Sequence, residues 1–253
     1  MNLKNNNLIK NKLKRSEEVI GIWSIIPSPT TVEIMMSANL DFIILDMEHG
    51  SYDHHYLENS IRAVEINNKS SIVRIPSINP QLIQSALDLG ANGVIIPKIE
   101  SEQEAKLVVN YSNYFPNGSR GYNPFTRSHK FYSLSKPIKP SNLSCILIET
   151  KDSFKNLERI CEVKNLDIIY VGTYDLSLNL GFKGNVKDKE FLKIIEKVSK
   201  QIVKSGKICG LMISSKEDVR FARNIGAKFL TYMVDSFHIQ NFLNESIKKI
   251  ISK

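Results

Sequence analysis

The chain has 253 residues, 42% hydrophobic and 24% charged, which is ordinary for a globular protein with a sizeable core. The net charge of +8 raises the question of nucleic acid, but Lys4, Lys10, Lys12, Lys14 and Arg15 lie ahead of the first apolar run, and the other cations are scattered among carboxylates with no basic stripe between aromatics. Three cysteines (Cys145, Cys161, Cys209) share no metal-like spacing, and Cys145 and Cys209, in apolar strand-like runs, read as buried free thiols suited to a reducing cytoplasm; with no secretory h-region and no apolar run near ~18 residues, neither export nor a membrane span is expected.

Residues 1–18 read as an extra N-terminal helix with a thin apolar stripe of Leu3, Leu8, Ile9 and Leu13. Val19 to Ile26 is the first strand, stopped by Pro27-Ser28-Pro29. Thr30 or Thr31 caps a helix through Ala38 with Glu33 in its first turn. Phe42–Leu45 is the second strand and runs directly into Asp46-Met47-Glu48-His49-Gly50. Helix Tyr52–Ile66 follows, with Leu57, Ile61 and Val64 on one face and His54 and His55 at its solvated start. Ser71–Ile75 is the third strand. Pro80 opens the next helix, and Gly90 ends it.

Asn92–Pro97 is the fourth strand, and Ser101-x-x-Glu104 is a capping-box signature for the helix to Tyr111. Residues 115–143 form a long loop rich in Asn, Gly, Pro and aromatics, expected to be an ordered lid or interface arm near the active-site rim. Arg120, Tyr122, Phe125 and Arg127 would line the outer pocket or pack an interface. Cys145–Ile148 is the fifth strand, with a helix through Val163, and Asp167–Val171 is the sixth. Asp175–Leu180 is a short helical turn and Lys187–Lys204 a long amphipathic helix. Lys207–Met212, helix Lys216–Ile225, Lys228–Thr231 and helix Ser236–Ile251 complete the chain.

Eight strand-then-helix units with no break in composition imply a parallel sheet, and their length suits one (β/α)8 barrel over 1–253. A doubly wound open sheet is the alternative, but no strand is followed by Gly-x-Gly-x-x-Gly or a Walker loop. In a barrel the C-terminal strand ends converge. They carry Asp46, Glu48 and His49, then Arg74, then Glu149, then Gly172-Thr173-Tyr174-Asp175. Asp167 precedes its strand and belongs to the opposite face with a structural role.

Glu149 and Asp175 describe a hard oxygen site for Mg2+ or Mn2+, with Co2+ or Zn2+ as substitutes. Arg74 offers a fork for a carboxylate, and His49 is suited to moving a proton near neutral pH. A metal, an arginine and a histidine around one pocket are the parts needed to handle a 2-oxo acid through its enolate. Lys98, at the end of the fourth strand, is the candidate for a competing Schiff-base route, which needs a lysine of depressed pKa.

The stretches Asp41–Gly50, Val73-Arg74, Gly118–Gly121, Ile148–Thr150 and Gly172–Ser177 resemble the HpcH/HpaI aldolase family, over nearly all of residues 18–245. The resemblance implies a divalent-metal-dependent pyruvate aldolase that cleaves a 4-hydroxy-2-oxo acid, such as a 4-hydroxy-2-oxoheptanedioate or 2-dehydro-3-deoxyglucarate type of substrate, into pyruvate and an aldehyde. It implies that Glu149 and Asp175 hold the metal and that Arg74 stabilises the enolate. His49 would be the acid/base, oriented by Asp88, with Asp46 beside them. Gly172 and Thr173 would meet the pyruvate carboxylate, and Tyr174 and Met212 would form pocket walls. It also implies a homo-oligomer, a trimer or hexamer, with exchanged C-terminal helices. Two positions depart from the family pattern: Leu147 stands where Gln is common, and Thr173 where Pro is common. Both bear on substrate choice and rate. A condensing, citrate-synthase-like relative and a non-catalytic binding relative are the competing readings.

Overall fold

The structure, a computed structural model, describes residues 8–132 and 142–251. Eight short apolar runs pair in parallel and in sequence order, β1 to β8, and close on themselves through β1 and β8. The strands are β1 (Val19–Ser24), β2 (Phe42–Asp46), β3 (Ser70–Arg74), β4 (Gly93–Ile96), β5 (Leu143–Ile148), β6 (Ile168–Val171), β7 (Ile208–Ile213) and β8 (Phe229–Val234). The open-sheet alternative is thereby excluded.

Helices α1 (Leu8–Lys14), α2 (Pro29–Met36), α3 (His54–Ile66), α4 (Pro80–Asp88) and α5 (Glu102–Ser112) accompany the first half. The second half carries α6 (Lys151–Lys155), α7 (Leu157–Cys161), α8 (Thr173–Asn179), α9 (Lys189–Lys204), α10 (Lys216–Asn224) and α11 (Asp235–Ile251). Local chemistry sets their starts. Ser101 and Glu104 form the expected reciprocal box on α5. In α2 the cap is Ser28, not Thr30 or Thr31: its side chain accepts from the Thr31 N–H, and Pro29 occupies the first helical turn where no donor is needed. The helix expected after the fifth strand and through Val163 is two short ones, broken at Asn156.

Strand alternation divides the core into two apolar clusters. Trp23, Phe42, Ile44, Ile72, Ile95, Leu147, Tyr170 and Phe229 fill the barrel interior, while the outward residues of the same strands pack on the helices. Phe42 and Phe229 stack at 4.2 Å between ring centroids, and Phe42 fits because Gly21 opposite has no side chain. Helix α1 closes the bottom of the barrel. Ile9 and Leu13 join the interior cluster, and Lys10 and Lys12 pair with Asp167 and Asp41 at 3.0 and 2.6 Å. Asp167 also accepts from the Ser144 N–H at 3.0 Å, in agreement with its expected structural role.

The long segment after α5 corrects one expectation. Its described part, 115–132, includes a short 3-10 turn at Arg127–Tyr132 and lies at the end of the barrel opposite the catalytic rim. Arg120 pairs with Asp88 at 2.5 Å, and Arg127 reaches Glu65 and the Leu89 carbonyl, all at the C-terminal ends of α3 and α4. The physical reason is topological: a connection from a helix to the next strand is on the strands' N-terminal face. Residues 133–141 of that expectation, and 1–7 of the N-terminal helix, lie outside the described residues.

Candidate active site

The C-terminal strand ends surround a cavity of about 240 Å³. Its wall includes Asp46, His49, Arg74, Glu149, Gly172, Thr173, Tyr174, Asp175 and Met212, all anticipated from sequence. Asp46, the last residue of β2, is buried, and its in-register neighbour on β3 is Arg74. The two side chains meet as a fork. Arg74 Nε donates to Asp46 Oδ1 at 2.7 Å, and Nη2 donates to Oδ2. Burial opposes the guanidinium charge, but Asp46, Glu48 and Glu149 together raise its pKa above the ordinary value.

Asp46 also shapes the turn that follows. Its Oδ1 accepts the backbone N–H groups of Glu48 and His49 at 2.9 and 3.2 Å. Gly50 completes the turn, since a Cβ there would stand 2.3 Å from the Asp46 carbonyl oxygen and 2.9 Å from the Ile25 backbone. Asp46 therefore orients Arg74 and the backbone of the turn, not the His49 ring. The imidazole stands at the cavity mouth, 66% exposed.

Asp88, expected to orient His49, does not reach it within one chain. Asp88 ends α4 on the opposite face and pairs with Arg120, whose guanidinium lies over the Tyr114 ring. A helix that follows a strand runs back down the barrel, so its last residue is displaced from the rim. The carboxylate beside His49 is Glu48, with Oε2 at 3.8 Å from Nε2, within ion-pair reach of a protonated ring but too long for a hydrogen bond.

Glu149 follows β5 and is only 4% exposed. Its Oε1 accepts the Lys98 backbone N–H at 3.0 Å. Gly172 lies so close that a Cβ would be 2.6 Å from Glu149 Oε2. Burial pushes the Glu149 carboxyl up to about 7; the Lys98 N–H opposes the rise, while Asp175 and Glu48 add to it. Glu149 is buried and Asp175 exposed, and both border the same cavity. Asp46 and Glu48 form ion pairs with Arg74 and Lys98, whereas among the described residues Glu149 and Asp175 form none. That donor set fits a hard divalent cation that takes its remaining oxygens from water and substrate. Among the described residues no group of three or more His, Cys, Asp or Glu could enclose a metal ion, so a closed structural site of the zinc type is not formed.

Lys98 has the opposite character from a Schiff-base lysine. Its side chain is 66% exposed, and the Glu48 hydrogen bond raises its pKa instead of depressing it.

Sequence reading underrated the aromatic floor. Trp23 lies under Arg74, 4.6 Å from its Cζ to the ring, and its Nε1 donates to Thr231 Oγ1 at 3.0 Å. Thr231 Oγ1 and the Tyr170 hydroxyl are hydrogen-bonded at 2.6 Å, and burial pushes the Tyr170 phenol up to about 12, so it remains neutral. The legible signal was position: Trp23 and Tyr170 are inward residues in the layer below the rim. Val234 reaches the cavity through an irregular register at the end of β8, where Met233 has φ +51°. Leu147 is the apolar residue below Glu149 in the same wall.

The sequence of residues 19–241 matches the family model described as HpcH/HpaI aldolase/citrate lyase. A 4-hydroxy-2-oxo-heptane-1,7-dioate aldolase of Klebsiella pneumoniae subsp. pneumoniae is 29% identical, the alignment covering 91% of this chain and 89% of that one. A 5-keto-4-deoxy-D-glucarate aldolase of Salmonella paratyphi C is 30% identical over 89% of this chain and 91% of the other. The crystal structure of an HpcH/HpaI aldolase/citrate lyase family protein from Burkholderia cenocepacia superposes with a TM-score of 0.91 at 23% identity, covering 98% of this chain and 100% of that one, and so shares the fold. With the family pattern running through all eight strands and their catalytic ends, the chain belongs to the HpcH/HpaI aldolase/citrate lyase family.

Proposed function

We propose that the protein is a divalent-metal-dependent aldolase that reversibly cleaves a 4-hydroxy-2-oxo acid into pyruvate and an aldehyde. One observation carries this reading. An Arg74–Asp46 fork, two carboxylates that form no ion pair (Glu149 and Asp175) and an exposed histidine border the same cavity of about 240 Å³. Glu149 and Asp175 would hold Mg2+ or Mn2+, with Co2+ or Zn2+ as substitutes; the bound cation supplies positive charge that stabilises an enolate.

The chain's own groups do the rest. Of the five N–H donors of Arg74, two are hydrogen-bonded to Asp46 and Nη1 forms an ion pair with Glu48, which leaves donors on the terminal nitrogens for substrate oxygen. His49 takes the proton of the C4 hydroxyl. The C3–C4 bond breaks, its electron pair forms the enolate of pyruvate, and the C4 carbonyl leaves as the aldehyde. The enolate then takes a proton at C3. Gly172 and Thr173 offer close backbone at the carboxylate end, and Tyr174 and Met212 confine the chain beyond it. Leu147 makes this wall apolar where a donor is common in the family.

The test is pyruvate release from a panel of 4-hydroxy-2-oxo acids, with Mn2+ or with EDTA. Turnover that survives EDTA, or that Arg74→Ala and Glu149→Ala both leave at the wild-type level, sinks the proposal. The relatives' named substrates, a heptanedioate and a deoxyglucarate, define the first members of the panel.

A homo-oligomer, a trimer or hexamer, is part of the same proposal. Helix α11 spans Asp235–Ile251, yet Asp235 is its buried residue, while Phe237, Ile239, Phe242, Leu243, Ile247 and Ile250 are exposed. Such a face suits burial against a second copy of the chain. Light scattering that finds a monomer at micromolar concentration refutes it. The buried thiols Cys145, Cys161 and Cys209 suit the cytoplasm, and among the described residues no helix is long and apolar enough to cross a membrane.

A further inference from the structure

Two cationic side chains and the His49 imidazole converge on Glu48. Arg74 Nη1 lies 3.2 Å from Oε2, Lys98 Nζ lies 3.2 Å from Oε1, and His49 Nε2 lies 3.8 Å from Oε2. The Glu48 side chain is 10% exposed, whereas those of His49 and Lys98 are 66% exposed, so the carboxylate is beneath them and they reach inward to it. Its backbone is fixed by the N–H bond to Asp46, and the preceding residue donates from Met47 N to the Arg74 carbonyl at 3.0 Å.

Arg74 is held on three sides: Asp46 takes the Nε and Nη2 edge, Trp23 takes one face, and Glu48 takes Nη1. Asp46 alone neutralises the guanidinium but leaves Nη1 without an anchor. Glu48 supplies that anchor and also pairs with Lys98.

We propose that Glu48 is a positioning residue: its carboxylate, set between Arg74 and Lys98, holds the Nη1 side of the Arg74 guanidinium and so fixes how Arg74 faces the cavity. This rests on the aldolase reading above for its purpose, but it is testable without turnover. Oxalate is an unreactive planar dianion whose adjacent oxygens imitate those of a pyruvate enolate. Its affinity for the manganese-loaded protein, measured by calorimetry, reports how well Arg74 is presented. Wild type, Glu48→Gln, Arg74→Lys and the double variant form a cycle.

If Glu48 acts through Arg74, Glu48→Gln weakens oxalate by about tenfold in the wild-type background but by less than about twofold beside Arg74→Lys. Glu48→Asp keeps the charge but is one methylene short, and gives an intermediate loss. If Glu48→Gln does not fold, Glu48→Asp carries the same cycle. Equal losses in both backgrounds, no loss in either, or no oxalate binding by the wild type overturns the proposal. Pyruvate release is scored separately. Coupled oxalate binding without pyruvate release sinks the aldolase reading and leaves the role of Glu48 standing, whereas pyruvate release with equal losses in both backgrounds sinks the role alone.

Discussion

Replacing Glu149 by Gln should make the metal-free protein more stable at pH 8, although it removes a residue proposed to bind the metal. The carboxyl is displaced from an ordinary value of 4.5 to about 7 in the folded chain, mainly by burial. Folding therefore favours the protonated form. No stability is lost to this group below the unfolded value; the loss accumulates as pH rises from about 4.5 to about 7 and is complete above it. A displacement of this size corresponds to about 3 kcal/mol.

Glutamine keeps the shape and can still accept the Lys98 N–H, but it carries no charge beside Asp175. Urea unfolding of metal-free wild type and Glu149→Gln between pH 4.5 and 8.5 should show curves that coincide at the acid end. They should separate to about 3 kcal/mol at pH 8, or about 6–12 °C in Tm for a chain of this size. Saturating Mn2+ should reverse the order, because the cation stabilises only the carboxylate form. A variant no more stable than wild type at pH 8, or a difference independent of pH, refutes the reasoning.

Other consequences are equally direct. Manganese affinity of the wild type should fall about tenfold per pH unit below 7, as one proton on Glu149 competes with the cation; calorimetry in buffers of different ionisation heat would count that proton. Asp46→Ala should destabilise by about 3–5 kcal/mol in urea, because the buried Arg74 loses its two-point partner. Gly172→Ala places a methyl group 2.6 Å from Glu149 Oε2 and should lower manganese affinity at least tenfold while the fold, followed by circular dichroism, persists. Borohydride added with pyruvate should leave Lys98 unmodified by mass spectrometry; an adduct there would establish the lysine route instead.

Much of the barrel was legible because its determinants are local. Apolar runs bounded by Gly, Pro and capping residues mark strands and helices one at a time, and Ser101 with Glu104 start α5 with side chains three residues apart. The catalytic rim was legible for a related reason. In a parallel barrel, the residue at a strand's C-terminal end has one destination, so Asp46, Arg74, Glu149 and Asp175 share a cavity without knowledge of any contact. The same topological rule assigns the segment after α5 to the other face, where Arg120 and Arg127 lie.

What only the tertiary structure decided is which groups touch. Glu48 and Lys98 are 50 residues apart, and Trp23 and Tyr170 are 147 apart. Such pairs depend on barrel curvature, strand stagger and the direction of individual side chains, none of which has a sequence period. Only the resemblance points Asp88 to the site, and within one chain the fold places it at the far end of α4, paired with Arg120. Strand order and rim composition are consequences of local pattern and chain direction. The ion pairing that engages Asp46 and Glu48 but not Glu149 or Asp175 is a property of distances, and distances exist only once the barrel has closed.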